Sequence, residues 1–318
     1  MEKKILLAVD GSDKGFSAVS IVANLLKDQS DLNLVVFHCV QQLARLYPGE
    51  LCEIEETSLK LPAGEQEKAG NAVLQEAYRI LVEAGVPKSR IQLKLKTEST
   101  DPARDVLAEA EAGEYAAIAL GRRGRSQLET LLLGSVSSKV AQYATHKTVW
   151  IVDTPVHQTQ KVLVAMEGAP DSRTLTQYAA DMLAKIPQLE YTFLHVMPPV
   201  PPTFWDDGHI LASTEQKDRE SRIDRWRADW TQRVEKFLAE ARSSLVARKV
   251  PGDKVETLIL PAKEGIARDL LNEVDEHKFQ VVVMGKKSFH ERKPFLLGSH
   301  AQKILQNAKG AILCLVDG

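Results

Sequence analysis

A glycine-rich stretch that follows an apolar run is the feature of this chain best suited to chemistry. It reads Gly121-Arg122-Arg123-Gly124, then nine residues, then Gly134-Ser135. Glycine at position 121 permits a sharp turn, and glycine at position 124 keeps side-chain atoms away from approaching oxygens. A helix that begins at Gly134-Ser135 offers unpaired amides and the positive end of its dipole to an anion. The pattern therefore predicts a cradle for phosphate groups.

An acidic residue stands at the end of the first apolar run of the chain. Asp10 follows the run Ile5 to Val9 and precedes a glycine. In open parallel sheets, ligands bind at the carboxyl ends of the strands, so a ligand role is favoured for Asp10. Capping of a turn or of the next helix is the alternative, because Ser12 and Asp13 also suit a helix start.

Three arginines lie close to the predicted cradle. Arg122, Arg123 and Arg125 add positive charge there. Attraction of phosphate and simple solvation of an exposed loop remain equally open for each of them.

The chain contains an internal duplication. The segment from Lys3 to Leu26 recurs from Gln160 to Leu183, and the 39 residues from Tyr115 to Asp153 recur without a gap from Phe279 to Asp317. Such a register over this distance indicates two copies of one unit. Polar residues and proline enrich the stretch after Asp153, so we predict domains at residues 1–154 and 155–318.

Each copy alternates short apolar runs with amphipathic stretches, which favours an α/β fold with helices on both faces of a parallel sheet. We predict two tandem doubly wound, Rossmann-like domains, each with five parallel strands in the order 3-2-1-4-5. The last strand of each copy, near 148–152 and 311–316, is the expected meeting edge of an internal pseudo-dimer. The predicted strands lie near residues 5–9, 32–38, 91–96, 116–120, 148–152, 162–166, 191–196, 255–260, 281–284 and 311–316.

Composition narrows the functional classes. The formal net charge is −2 and charged residues make up 26% of the chain, so nothing favours binding to nucleic acid or to an anionic membrane. Three widely spaced cysteines predict neither a disulfide framework nor a metal or redox motif, and they favour a reducing cytoplasm. The apolar run before Asp10 is too short for a signal peptide or a membrane span.

No common catalytic motif occurs in the chain. There is no Walker loop, no G-x-S-x-G elbow and no H-E-x-x-H. The scattered histidines, among them His38 and His195, favour structural roles over metal binding. We therefore assign no catalytic residue and leave a metal site undetermined.

The spacing of the glycine-rich stretch resembles the nucleotide motif of the universal stress protein family, G-x2-G-x9-G-[ST], and satisfies every position of it. This resemblance covers nearly the whole chain, twice. It implies ATP as ligand, with or without Mg²⁺, and an adenine nucleotide α-hydrolase-like fold. It also implies that Asp10 lies near ribose or adenine and that the main chain of Val40, Leu120 and Val136 surrounds the base and phosphates. The implied site residues are Asp10, Val40, Leu120, Gly121, Arg122, Gly124, Gly134, Ser135 and Val136.

The second copy departs from this motif. Ser288 replaces the middle glycine, Glu167 replaces the aspartate, and His300 stands in place of Val136. A Cβ atom at position 288 and a longer carboxylate both oppose close approach of phosphate. Lys286 and Lys287 oppose this trend by attracting anions, so we expect weaker nucleotide binding there rather than none. The residues of this second site are Glu167, Val196, Met284, Gly285, Ser288, Gly298 and Ser299.

The first hypothesis for function is an ATP-binding stress or signalling protein, in which nucleotide occupancy alters conformation or partner binding. Its partners would be an adenine nucleotide, an unidentified protein and, at the level of assembly, a second copy of the chain. A nucleotide-independent interaction module is the alternative. A slow ATPase is a further alternative, and fold analogy alone supports it.

Overall fold

The computed structural model of the chain describes residues 3–41, 63–124, 133–167, 172–205, 213–287 and 297–317. The predictions made for Arg125 and Ser288 fall outside these ranges.

The N-terminal half alternates strands and helices. Its elements are β1 (Lys3–Val9), α1 (Asp13–Leu26), β2 (Leu32–Gln41), α2 (Ala63–Glu83), β3 (Ile91–Ser99), α3 (Pro102–Ala112), β4 (Ala117–Gly121), α4 (Ser135–Tyr143) and β5 (Thr148–Val152). The strands are rich in β-branched and other apolar residues, whereas the helices carry apolar residues at helical spacing.

The C-terminal half repeats this order. Its elements are β6 (Lys161–Ala165), α5 (Ser172–Met182), β7 (Glu190–Met197), α6 (Ser213–Ala247), β8 (Val255–Pro261), α7 (Ile266–His277), β9 (Val281–Gly285), α8 (Ser299–Asn307) and β10 (Ile312–Val316). The 35-residue α6 is long but largely polar. Within the six described ranges, no helix combines the length and the apolar character that crossing a membrane requires.

One ten-stranded sheet runs through the whole molecule, in the order β3-β2-β1-β4-β5-β10-β9-β6-β7-β8. Neighbouring strands are parallel within each half, whereas β5 and β10 are antiparallel, with Trp150 opposite Cys314. The predicted order 3-2-1-4-5 in each copy is confirmed, and so is the pairing of the two last strands. Each half thus covers the edge strand of the other.

The two faces of this sheet bury separate apolar layers, and each layer crosses from one half to the other. All residues of β5 and β10 are buried, because this pair lies at the centre of the sheet with helices on both sides. Trp150 is fully buried there, and its indole Nε1 donates a hydrogen bond to the Tyr178 hydroxyl at 2.6 Å. The two domains therefore share a continuous core.

The matched histidines are structural, as the sequence predicts. His38 Nδ1 lies 2.8 Å from the carbonyl of Val9, and His195 Nδ1 lies 2.8 Å from the carbonyl of Met166. In the second copy, Trp230 Nε1 donates to His195 Nε2 at 3.0 Å. Because an indole N–H can only donate, Nε2 of His195 accepts and Nδ1 carries the proton, so the ring is neutral. Burial lowers the pKa of His195, which favours this neutral form. Each histidine thus binds the carbonyl of the residue just before the acidic residue of its domain, Asp10 or Glu167.

Candidate functional site

A cavity of about 360 Å³ opens at the carboxyl ends of β1, β2 and β4. This is the crevice in which ligands of open α/β sheets bind. The cavity brings together seven of the nine residues predicted for the first site, which are Asp10, Leu120, Gly121, Gly124, Gly134, Ser135 and Val136.

Asp10 is half-buried in the wall of this cavity and is held by the turn that follows it. Its Oδ1 accepts hydrogen bonds from the amide of Ser12 at 3.1 Å and from the Ser12 hydroxyl at 2.7 Å. The Ser12 hydroxyl in turn accepts from the amide of Gly15 at 3.0 Å and caps α1. Asp10 thus contributes to the turn, as one reading of the sequence predicts, while it also lines the cavity.

Two glycines leave room for the Asp10 carboxylate. A Cβ atom on Gly124 would lie 2.2 Å from Oδ2 of Asp10, and a Cβ atom on Gly15 would lie 2.5 Å from its Oδ1. Real Cβ atoms do not approach other atoms so closely, so any larger residue at position 124 or 15 must displace the carboxylate. Gly124 therefore serves Asp10 as well as the predicted approach of phosphate.

The beginning of α4 forms another part of the cavity wall. Gly134 is the N-cap of this helix, so no side chain there accepts from the first helical amides. The Gly134 amide donates to the carbonyl of Arg122 at 2.9 Å, and the Ser137 hydroxyl donates to the carbonyl of Gly121 at 2.7 Å. These two bonds hold the helix start against the turn after β4. The exposed Ser135 hydroxyl lies on the same rim.

Among the described residues, Arg123 is the arginine that lines the cavity. Its Nε atom is buried, and no residue of the described ranges gives it a hydrogen-bond partner. A buried donor that lacks an acceptor is costly, and an anionic group in the cavity would satisfy it.

Arg122 and Val40 are the two predicted residues that do not line the cavity. The Arg122 guanidinium lies against the end of α8, where it donates to main-chain carbonyls of the second domain. We therefore do not assign this side chain to the phosphates. The Val40 side chain faces α2, with its Cγ2 within 2.6 Å of the place where a Cβ on Gly70 would lie, while Cys39 and Gln41 on either side of it line the cavity.

The apolar wall of the cavity was missed by the sequence analysis. Phe37 and Cys39 contribute from β2, and Val106 contributes from α3. Burial raises the pKa of the Cys39 thiol to about 12, so Cys39 is a neutral wall residue. Strand alternation predicts that Phe37 and Cys39 share one face, yet nothing in the sequence indicates that α3 leaves a gap beside them.

The second site is less complete. Beside Glu167 and Gly285 the described residues enclose only about 30 Å³, which is about the space of one water molecule. Gly298 is the N-cap of α8 without a capping side chain, and Ser299 is exposed, as at the first site. The other predicted residues, Met284 and Val196, are buried in strands, and Ser288 is outside the described ranges.

The donor set of the first cavity suits an anionic ligand better than a protein-held metal. Among the described lining residues Asp10 is the single carboxylate, and no histidine lines the cavity. Mg²⁺ would therefore be held mainly by the phosphates. The described residues place one potential metal-binding cluster, Glu273, Glu276 and His277, on the outer part of α7 rather than at this cavity.

Comparison with known proteins identifies the family. The profile of the Universal stress protein family matches residues 1–153 and again residues 158–315. The Universal stress protein YxiE of Bacillus subtilis is 29% identical over 151 residues, which is 46% of this chain and 95% of that protein.

Two solved structures have the same overall fold. A universal stress protein from Archaeoglobus fulgidus superimposes with a TM-score of 0.64 at 18% identity, and the alignment covers 100% of this chain and 99% of that protein's chain. A putative universal stress protein from Pseudomonas aeruginosa gives a TM-score of 0.58 at 14% identity over 99% and 93% of the two chains. At these identities the likeness concerns the fold alone. The two profile matches show that the chain is a tandem member of the Universal stress protein family.

Proposed function

We propose that the N-terminal domain binds ATP in the 360 Å³ cavity, and that occupancy alters conformation or partner binding during a stress response. Family membership supports the stress-response role. The observation that carries nucleotide binding is that the Asp10 carboxylate and the uncapped start of α4 face one cavity. A nucleotide has groups that suit both features, because it carries hydroxyls at the ribose and anionic oxygens at the phosphates.

The phosphates belong at the start of α4. The amides that follow Gly134 point along the helix axis toward the cavity, and the helix dipole favours negative charge there. Gly124 adds bare backbone, and the unpaired Nε of Arg123 adds a buried donor. Phosphate oxygens are the acceptors that this set of donors lacks.

The ribose belongs beside Asp10. A carboxylate accepts hydrogen bonds from hydroxyls but repels phosphate, so Asp10 favours the sugar over the phosphate chain. Phe37, Cys39 and Val106 then form an apolar wall for the adenine ring. The volume lies within the range of small-molecule sites, though near its lower end.

Binding is better supported than turnover. General-base catalysis needs a group free to take a proton from water. The single described carboxylate of the cavity, Asp10, lies beside the ribose in the proposed binding mode, and so it is not placed to activate water at the phosphates. We therefore propose that nucleotide occupancy, rather than hydrolysis, carries the function. The free thiols of Cys39 and Cys314 suit a reducing compartment, which supports our placement in the cytoplasm.

The test is to identify what the protein binds. Mass spectrometry of small molecules released from freshly purified protein should find ATP or ADP, and calorimetry of stripped protein should measure ATP affinity with Mg²⁺ and with EDTA. GTP is the matched control ligand. No adenine nucleotide after purification, together with no heat of ATP binding, would refute the proposal. Phosphate release that follows the protein and disappears in a Gly124 variant would support the slow ATPase instead.

A further inference from the structure

The turn of the first cradle is anchored in the second domain. Arg122 follows the last residue of β4 and is only 3% exposed. Its Nη1 donates to the carbonyl of Ala308 at 2.5 Å, and its Nη2 donates to the carbonyls of Leu305 and Gln306, both at 2.7 Å. These carbonyls end α8 and have no helical partner of their own. Arg122 thus caps the C-terminus of a helix in the opposite domain.

The second domain makes the equivalent contact with the first domain. Lys286 occupies the place of Arg122 in the second copy and is also 3% exposed. Its Nζ donates to the carbonyl of Ala144 at 2.5 Å and to the carbonyl of Lys147 at 2.8 Å, at the end of α4. Two buried cationic side chains therefore reach across the domain interface, one from each domain.

A second pair of contacts holds the same helix ends. The carboxylate of Asp153, after β5, accepts the amide of Gly310 at 3.0 Å. The carboxylate of Asp317, after β10, accepts the amide of His146 at 2.5 Å. Gly310 and His146 occupy equivalent positions and both have positive φ, 67° and 56°. Each helix end is thus fixed by a cation and by a carboxylate from the other domain.

These contacts link the two cradles through two short helices. The N-terminus of α4 forms the first cradle, while its C-terminus is held by Lys286, which follows Gly285 of the second cradle. The N-terminus of α8 forms the second cradle, while its C-terminus is held by Arg122 of the first. Each helix has nine residues and spans about 13 Å. A helix this short moves as a rigid body, so a shift at one of its ends also moves the other end.

We propose that Lys286 and Arg122 are positioning residues that couple each phosphate cradle to the opposite domain, so that ATP affinity at the first cradle depends on Lys286. This inference rests on the proposed function. No described residue of the second domain lines the first cavity, so Lys286 would act without touching the nucleotide.

The proposed coupling is positional. Lys286 and the phosphates would lie at opposite ends of α4, about 13 Å apart, so the side chain does not contact the nucleotide. What Lys286 controls is the direction in which the first amides of α4 point. A hydrogen bond to phosphate weakens steeply as its angle departs from linearity. A small tilt of α4 therefore lowers affinity without removing any cradle residue.

The experiment compares three variants of the full chain. Lys286→Met removes the cap, Lys286→Arg restores a cation, and Lys303→Met removes an exposed cation from the outer face of α8. By calorimetry we expect Lys286→Met to weaken ATP binding roughly threefold to tenfold, the value of about one hydrogen bond to phosphate lost through misalignment. Lys286→Arg should recover most of the loss, and Lys303→Met should match the unaltered protein.

Hydrogen exchange of the nucleotide-free protein supplies an independent measurement. The amides of Gly134 and Ser138, which donate to carbonyls at the far end of α4, should exchange faster in Lys286→Met than in the unaltered protein. In Lys303→Met their exchange should be unchanged. If Lys286→Met does not fold, Lys286→Gln retains a neutral donor and replaces it in both measurements.

Two outcomes separate this inference from the proposed function. If the unaltered protein binds no ATP, the proposed function fails, and the exchange of the Gly134 and Ser138 amides still decides the coupling. If Lys286→Met only lowers the melting temperature, while ATP affinity and exchange of the Gly134 and Ser138 amides stay the same, Lys286 is a structural cap and the coupling is overturned.

Discussion

The Cα atom of Gly124 packs so closely against the Asp10 carboxylate that a Cβ atom at position 124 would lie 2.2 Å from Oδ2. The acid at the end of β1 and the glycine after β4 are more than a hundred residues apart in sequence, and they form one unit in the wall of the cavity. The absence of a side chain at position 124 is therefore a condition for the position of Asp10.

This relationship predicts the effect of replacing Gly124. Gly124→Ala should weaken ATP binding at least tenfold, about 1.4 kcal/mol, because the new Cβ displaces Asp10 and narrows the phosphate approach. Calorimetry measures the affinity, and thermal unfolding should show an intact fold. Gly64→Ala is the matched control, because a Cβ there meets nothing within 4 Å. Equal affinity in both variants would remove Gly124 from the site.

Replacing Gly134 also tests ATP binding, but less specifically, because the new side chain contacts the backbone of the turn. A Cβ there would lie 3.3 Å from the carbonyl oxygen of Arg122 and 3.6 Å from Cα of Arg123, so it strains the backbone of the turn. Gly134→Val should also lower ATP affinity at least tenfold. Its melting temperature must be measured alongside, since loss of stability and loss of binding have different causes here.

Replacing Asp10 distinguishes the two roles that the sequence allows. Asp10→Ala should weaken ATP binding roughly tenfold to a hundredfold, the value of a hydrogen bond to a charged group, and should lower stability by about 1 kcal/mol through its lost bonds to Ser12. Asp13→Ala, an exposed acid in the first turn of α1, controls for charge. A drop in stability with unchanged affinity would show that Asp10 only caps the turn.

The two sites should fill in order. With limiting ATP, the site of Asp10 and Gly124 should be occupied before the site of Glu167 and Ser288, because the first has a cavity and a bare backbone. In calorimetry, the double variant Ser288→Gly with Glu167→Asp should bind a second equivalent of ATP. Nucleotide found only in the C-terminal domain of the unaltered protein would reverse this ranking.

The buried Lys286 predicts a pH dependence of stability. Burial lowers its pKa to about 8, partly opposed by Asp317 and reinforced by Lys287. Between pH 8 and the ordinary lysine pKa of about 10.5, the unfolded chain binds more protons, so this residue makes the protein more stable as pH rises. Below pH 8 the cost of burying the charge is fully present.

Urea unfolding at several pH values between 7 and 10 tests this sign. The free energy of unfolding of the unaltered protein, minus that of Lys286→Met, should increase with pH by at most about 3 kcal/mol. Lys303→Met, which lacks an exposed cation, should follow the unaltered protein. A difference that falls with pH, or stays constant, would contradict the lowered pKa.

Much of the fold followed from local patterns. Strand-length apolar runs, the duplication and the two unpaired last strands predicted the sheet order and the pairing of β5 with β10. Side-chain direction was harder to predict. Arg122 and Arg123 are neighbours on one turn, and their sequence environments are nearly the same, yet Arg123 lines the cavity while Arg122 enters the domain interface.

The sequence by itself determined the duplication, the strand order and the glycine-rich turn for which we propose phosphate binding, because these depend on periodicity and on glycine at fixed positions. Only the tertiary structure decided the apolar wall of Phe37 and Val106, and the capping of each domain's helix by the other domain's cation. The reason is physical. Carbonyls at a helix end must find donors, and which side chain supplies them depends on which helix end the folded chain brings within reach.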